Sequence, residues 1–261
     1  MYDVLFGGKT PYKTMISPFT VEIAGIPAEI RCTFPENKRF FEGYFTDKEP
    51  LITVEPTHDD WEQMQKEIDV VADMNGTPRQ RRSDSSLENT AIHALMAEKL
   101  TAYNGLLMHG SALCMDGQAV VFLAHSGTGK STHSRIWRET FGDRVWMIND
   151  DKPIFRVIDG KAFVYGTPWS GQYRLSRNAS APLKAMVLLA RSEKNKIVPI
   201  TKIEAFPMLM PYAYFSKKPD TMKQILEVES KLVDAAEFYV LGCNMSPEAA
   251  EVAYEGIFKP V

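Results

Sequence analysis

Val120-Val121-Phe122-Leu123-Ala124-His125-Ser126-Gly127-Thr128-Gly129-Lys130-Ser131-Thr132 is an apolar run that breaks into a glycine-bearing turn and ends in Lys-Ser-Thr. This is the layout of a phosphate-binding loop. A buried strand delivers the turn, glycines let successive backbone N–H groups converge on one anion, and the following helix points its positive end at the same place. The lysine brings a mobile charge to the β- and γ-phosphates of a nucleotide, and the hydroxyl after it can ligate Mg²⁺. Residues expected to hold ATP are therefore Ala124, His125, Ser126, Gly127, Thr128, Gly129, Lys130, Ser131 and Thr132. Ala124 occupies the position of the first glycine in the usual G-x-x-x-x-G-K-[ST] pattern, and a methyl group is tolerated there if φ stays negative. Downstream, 131–141 reads as a helix with Ile136, Trp137 and Phe141 on its buried side.

Asp150-Asp151 follows a short apolar strand over 145–148. Strand, loop, helix, strand and Asp-Asp fit a single βαβ crossover, whose parallel strands bring their carboxyl ends to one edge of the sheet. Both aspartates then stand beside bound phosphates. One carboxylate can hold Mg²⁺ while its neighbour accepts the proton of an attacking hydroxyl. The plain structural alternative is a pair of aspartates capping a turn before Pro153.

A chain of 261 residues with 44% hydrophobic content buries a full core, as one large domain or as a core with an appendage. Its net charge of −3 argues against a general nucleic-acid binder and against binding to anionic membranes. Apolar runs are strand-sized rather than membrane-spanning. The segment 1–9 lacks the basic start and long apolar stretch of a signal peptide. Cys32, Cys114 and Cys243 are odd in number and far apart, which suits reduced thiols in a cytoplasm.

The alternation of patterns predicts an α/β chain. Strands are expected over 19–23 and 29–34, flanking Gly25-Ile26-Pro27, and over 51–54, with a helix over 59–72 and a polar linker over 75–84. Ser85 and Glu88 have capping-box spacing, opening a helix that runs to about 103. Strands over 106–113 and 118–124 meet at Asp116-Gly117, and those over 154–158 and 161–165 at Asp159-Gly160. A strand over 182–190, helical sequence over 204–236 broken near Pro219, and a helix over 247–257 complete the reading. The expected division is a small β-rich N-terminal region, 1–84, and a P-loop catalytic domain, 85–261.

His109-Gly110 ahead of the loop, Ser126-Gly127-Thr128-Gly129-Lys130-Ser131-Thr132 and Asn149-Asp150-Asp151 together resemble the C-terminal catalytic domain of HPr kinase/phosphorylase, in the wider group that includes ATP-dependent phosphoenolpyruvate carboxykinase. Asp150-Asp151-Lys152-Pro153 and Tyr165-Gly166-Thr167-Pro168-Trp169-Ser170-Gly171 bring the chain closer still to the smaller HPr-kinase-like proteins, some of them encoded beside peptide-modification pathways such as those of lasso peptides. The resemblance covers roughly 100–200. It implies a P-loop kinase core in which Ser131 ligates Mg²⁺, Asp150 supports the metal, Lys130 bridges the β- and γ-phosphates and Asp151 is the base. His109 matches a family histidine that orients or polarises the base, although a lone histidine on an apolar strand also serves as ordinary core. Arg174 or Arg177 is a candidate to neutralise charge on the transferred group.

Two departures stand out. No carboxylate occupies 163–166, where the family places a metal-supporting glutamate, and the Pro-Gly-Arg-type segment tied to the reverse reaction is missing. What is expected is a cytoplasmic ATP- and Mg²⁺-dependent kinase without phosphorylase activity, acting on a hydroxyl, a serine of a peptide or small protein other than HPr. A metabolite kinase and an ATP-sensing regulatory module are the alternatives. No nucleic-acid or membrane partner is expected, and a homo-oligomer is left open.

Overall fold

Residues 15–125 and 127–259 are described by the computed structural model; Ser126, and the 1–9 segment read above for targeting, lie outside them. The described residues divide into two compact units, one holding 27–95 with those before Glu22, the other holding 22–26 and those from Met96 onward.

The N-terminal part carries β1 (Phe19–Ile23), β2 (Ile26–Ile30), α1 (Pro35–Phe40), β3 (Ile52–Val54) and α2 (His58–Met74). β2 begins earlier than expected, because Ala24 and Gly25, with φ of 53° and 74°, form the whole turn and pull buried Ile26 and Pro27 into the strand. β3 pairs with β2 in parallel. α3 (Asp84–Leu100) follows a stretch over 75–83 without helix or strand. The expected capping box at Ser85 and Glu88 is not made. Ser83 Oγ accepts from Ser86 N instead, at 3.3 Å, and the buried Glu88 carboxylate accepts from Thr33 N, Phe34 N and Asn37 Nδ2 at 2.7, 3.1 and 2.8 Å. Phe34, the N-cap of α1, offers no side-chain acceptor, and Glu88 takes up the N–H groups of Phe34 and of Thr33 before it.

The second unit continues through β4 (Gly105–Leu107), β5 (Ser111–Met115), β6 (Gln118–Leu123), α4 (Lys130–Phe141), β7 (Val145–Asn149), β8 (Ile154–Ile158) and β9 (Lys161–Tyr165). β10 (Ser180–Arg191), β11 (Lys196–Pro199), α5 (Lys202–Leu209), α6 (Pro219–Ala235), β12 (Glu237–Cys243) and α7 (Glu248–Phe258) complete it. The strands form a mixed sheet in the order β4-β8-β9-β10-β6-β5-β7, with β12 beside β10 and β11 beside β12. β10 is 12 residues long; its first residues pair with β9 and the remainder lies between β6 and β12.

One strand was expected over 106–113 and two are present. β4 pairs with β8 at one end of the strand path, β5 with β6 and β7 at the other, and Met108-His109-Gly110 carries the chain across. The return from β7 to β8 runs alongside: Met108 N donates to Pro153 O at 3.2 Å and Gly110 N to Asp151 O at 3.0 Å. These two crossings draw the ends of the path together, so the sheet curls. Gly110 packs closely on β6 there: a Cβ would stand 2.9 Å from Leu123 Cδ2 and 3.3 Å from Phe122 O.

β5 is antiparallel to both β6 and β7, which makes β6 and β7 parallel with β5 between them. Their carboxyl ends share one edge, as the βαβ reading expects, but one strand farther apart. Val120 and Phe122 face a core with Trp137, Tyr239 and Ile257, whereas Val121 and Leu123 face another with Leu209, Ile225 and Leu232. Helices therefore cover both faces, and that is why 119–124 is continuously apolar. Among the described residues, no helix is long and apolar enough to cross a membrane.

Candidate active site

β6 releases the chain into the loop, where Gly127 and Gly129 take φ of 76° and 125°. The second value is one that L side chains rarely adopt. Thr128 N donates to His125 O at 3.1 Å, closing the turn, and α4 begins at Lys130 with Gly129 as its N-cap and no side-chain cap. The first-turn N–H groups, with the positive end of the helix, are thereby directed at the loop. Lys130 is buried and its Nζ donates to Ala124 O at 2.7 Å. Burial holds this ammonium below its ordinary pKa, with Asp151 opposing the shift and Lys152 adding to it. Ser131 is exposed on the first turn. The ring of His125 packs near Tyr212, 5.8 Å between centroids, and Arg191 Nη2 donates to Gly127 O at 2.6 Å.

A side-chain hydrogen bond ties α4 to the sheet, and a second one braces the helix itself. Ser134 Oγ donates to Lys130 O at 3.0 Å and shares a 2.7 Å hydrogen bond with Ser111 Oγ of β5. His133 Nε2 accepts from Trp137 Nε1 at 3.0 Å, which leaves the proton on Nδ1, an atom without a hydrogen-bond partner among the described residues. Burial pushes this imidazole down to about 4, so it is neutral.

Past β7, the carboxylate pair is organised by Asn149, for which the sequence reading has no role. Asn149 is fully buried; its Oδ1 accepts from Asp151 N at 2.8 Å and Lys152 N at 2.7 Å. Its Nδ2 donates to Thr167 O, Thr167 Oγ1 and Trp169 O at 3.1 Å. One amide thus shapes the Asp150-Asp151-Lys152 turn and ties it to the loop that follows β9. The available signal was an asparagine at a strand end before a turn, where its side chain binds backbone two residues on. Trp169 is buried, as a core plug would be.

Asp150 is 8% exposed and its Oδ1 accepts from Gly171 N at 2.8 Å. Asp151 Oδ1 accepts from His109 Nε2 at 3.1 Å and lies 3.4 Å from Lys152 Nζ. Burial raises the Asp151 pKa, but the His109 hydrogen bond and the charge of Lys152 outweigh it and hold the carboxyl below its usual value. His109 sits in the crossing between β4 and β5, not in a strand, and its backbone N donates to Tyr212 O at 2.7 Å. Arg174 is brought to none of these groups. It is exposed, at φ 51°, and its guanidinium has no partner among the described residues, while Arg177 lies 5.4 Å over the Trp146 ring.

Two cavities flank the first turn of α4 and meet at Thr132. The larger, about 660 Å³, runs from Gly127 and Gly129 past His133 to the carboxyl ends of β10 and β12 at Arg191 and Cys243. The smaller, about 360 Å³, is bounded by Ser131, Asp150, Arg138 and Tyr173. Among the described residues no cluster of three His, Cys, Asp or Glu side chains could hold a metal alone. Ser131 and Asp150 on one cavity wall nevertheless suit Mg²⁺, which takes few protein oxygens and completes its shell with phosphate and water.

The family model described as SynChlorMet cassette protein ScmC matches residues 82–236, more than half of the chain. No curated protein matches. Among solved structures, the Hpr(Ser) kinase/phosphatase from Coxiella burnetii is similar at 9% identity and a TM-score of 0.35, over 57% of this chain and 95% of that one. A score of that size does not establish a common fold.

Proposed function

The chain belongs to the ScmC family of SynChlorMet cassette proteins, and we propose that it is an ATP- and Mg²⁺-dependent kinase that transfers the γ-phosphoryl group to a hydroxyl, a serine of a peptide or small protein. One observation carries this reading: the His109–Asp151 pair, 3.1 Å apart, stands just past the carboxyl end of β7, on the sheet edge where β6 delivers the Lys130 loop.

In this reading the phosphates lie on the loop and the first turn of α4, and the nucleoside enters the larger cavity, whose volume is in the range of small-molecule sites. Lys130 exchanges the Ala124 carbonyl for a phosphate oxygen. Ser131 and Asp150 would hold Mg²⁺, which supplies charge against the phosphate oxygens. His109 occupies Oδ1 of Asp151 and leaves Oδ2 to take the acceptor proton. As that proton moves, the acceptor oxygen bonds to the γ-phosphorus, the bond to the β-phosphate oxygen breaks, and ADP leaves. Arg174 would have to turn inward to neutralise charge on the transferred group.

The same proposal includes the P-loop core of the HPr kinase and carboxykinase type, a catalytic domain over 85–261, a β-rich region over 1–84, the cytoplasm as compartment, and the link to peptide-modification pathways. Transfer of labelled γ-phosphate from ATP tests it, offered to peptides encoded beside the gene and to a pool of hydroxyl metabolites. Label on a peptide serine, lost in Lys130→Ala, supports it. Label on a metabolite keeps the chemistry and discards the acceptor, and ATP binding without transfer favours a regulatory module.

A further inference from the structure

We infer that the phosphate acceptor carries an anionic group beside its hydroxyl, gripped by Arg138 in the smaller cavity; this rests on the kinase reading above.

Arg138 lies on α4 seven residues beyond Ser131, and both line this cavity with Asp150 and Tyr173. Its Nε is shut off from solvent and has no hydrogen-bond partner among the described residues. Arg135, on the same wall, is by contrast paired with Glu139 at 2.8 and 3.0 Å. A guanidinium cannot discharge itself to escape the cost of an unmet donor, and its planar fork is matched by two oxygens of a carboxylate or phosphate. Arg138 lines this cavity and its guanidinium has no ion-pair partner among the described residues, so the cavity suits an anion.

The nucleotide's own phosphate tail is accounted for by the loop, Lys130 and Ser131 at the N-terminal end of α4, whereas Arg138 lies two turns farther along the helix. Seven residues separate Ser131 from Arg138 by about 10 Å along the helix axis. Long helical side chains lean back toward the N-terminus, so the guanidinium stands nearer the transfer point than its Cα does. An extended peptide advances about 3.3 Å per residue. The bound charge therefore falls within about two residues of the acceptor serine, and the acceptor is an acidic peptide rather than a neutral or basic one.

The test uses an array of serine peptides in which each of the two flanking positions on either side is Glu, Gln or Lys, with malate as a small hydroxy acid. Binding is measured by calorimetry and transfer with labelled ATP, on the full chain and its Arg138→Gln and Arg138→Lys variants; ATP affinity and circular dichroism report folding. Expected is at least tenfold tighter binding of Glu peptides over Gln peptides at one flanking position, falling to within twofold in Arg138→Gln and partly kept in Arg138→Lys. Equal binding of Glu and Gln peptides, a preference that survives Arg138→Gln, or no binding of any probe overturns the inference. So does an equal fall in transfer to all peptides, which would make Arg138 a ligand of the transferred group. Arg138-dependent capture of malate alone keeps the anionic acceptor and removes the peptide. Arg138-dependent acid preference without any transfer keeps the anion site while the kinase reading fails.

Discussion

His109 Nε2 donates to Asp151 Oδ1 across 3.1 Å, joining the crossing from β4 to β5 with the crossing from β7 to β8. The contact is supported from behind by Gly110 N on Asp151 O and by Tyr212 O on His109 N. An ionised carboxylate is thus held with one oxygen engaged and the other available, at the sheet edge where the loop opens.

Replacing Asp151 by Asn should lower phosphoryl transfer by a factor of about 10²–10⁴ while leaving ATP bound, as expected for loss of a general base. Single-turnover transfer and equilibrium ATP binding on the same variant separate the two effects.

His109→Ala should move the pH profile. The His109 hydrogen bond helps to hold the Asp151 carboxyl below its ordinary value against burial, which raises it. Without that bond the carboxyl takes up its proton at higher pH, so the acid limb of the transfer rate shifts upward. A profile of transfer against pH that is unchanged in His109→Ala would remove His109 from the base.

Asn149→Ala leaves the N–H groups of Asp151 and Lys152 without their acceptor. At about 1–3 kcal/mol per unmet donor, the two part-buried donors predict a loss of about 2–6 kcal/mol, read by urea unfolding. Transfer should fall as well, because the Asp150-Asp151 turn loses its anchor to Thr167 and Trp169.

Much of this site is legible in the chain itself. The apolar run into Gly127-Thr128-Gly129-Lys130 announces strand, loop and helix because each has its own local period, and Asp116-Gly117 and Asp159-Gly160 mark turns through the positive φ they adopt. The break at Met108-His109-Gly110 is not legible, since Leu106 through Leu113 is apolar enough for one strand and only pairing with β8 on one side and β6 on the other divides it. β11 escapes for the opposite reason: its residues are mostly exposed and carry no alternation. Glu88 has the spacing of a capping box, but its carboxylate is drawn to the uncapped start of α1, a partner distant in sequence. Arg138 likewise looks like any surface arginine until the cavity beside it is seen.

Two buried groups set opposing slopes in stability against pH. Burial pushes Glu229, whose carboxylate oxygens have no partner among the described residues, up to about 7 from 4.5, and pushes His133 down to about 4 from 6.5. Between their unfolded and folded values the native state binds the extra proton at Glu229, so stability falls as pH rises from 4.5 to about 7. At His133 the unfolded state binds it, so stability falls as pH drops from 6.5 to about 4. The two slopes offset one another between 4.5 and 6.5. Glu229→Gln should therefore stabilise the protein by about 2–3 kcal/mol at pH 8, change little at pH 4.5, and expose the acid sensitivity of His133, as measured by urea unfolding across that range. A variant with an unchanged pH profile would mean that Glu229 is solvated in the folded protein.

Lys130 carries the central claim, because it opens α4 and its Nζ is held against the loop by Ala124 O. The decisive measurement is transfer of labelled γ-phosphate from ATP and Mg²⁺ to serine peptides by the full chain and by Lys130→Ala. The account predicts label on serine from the wild type, with at least a hundredfold loss in the variant, a factor that corresponds to about 2.7 kcal/mol of transition-state stabilisation. Equal labelling by both proteins, or none by a wild type that binds ATP tightly, would contradict it.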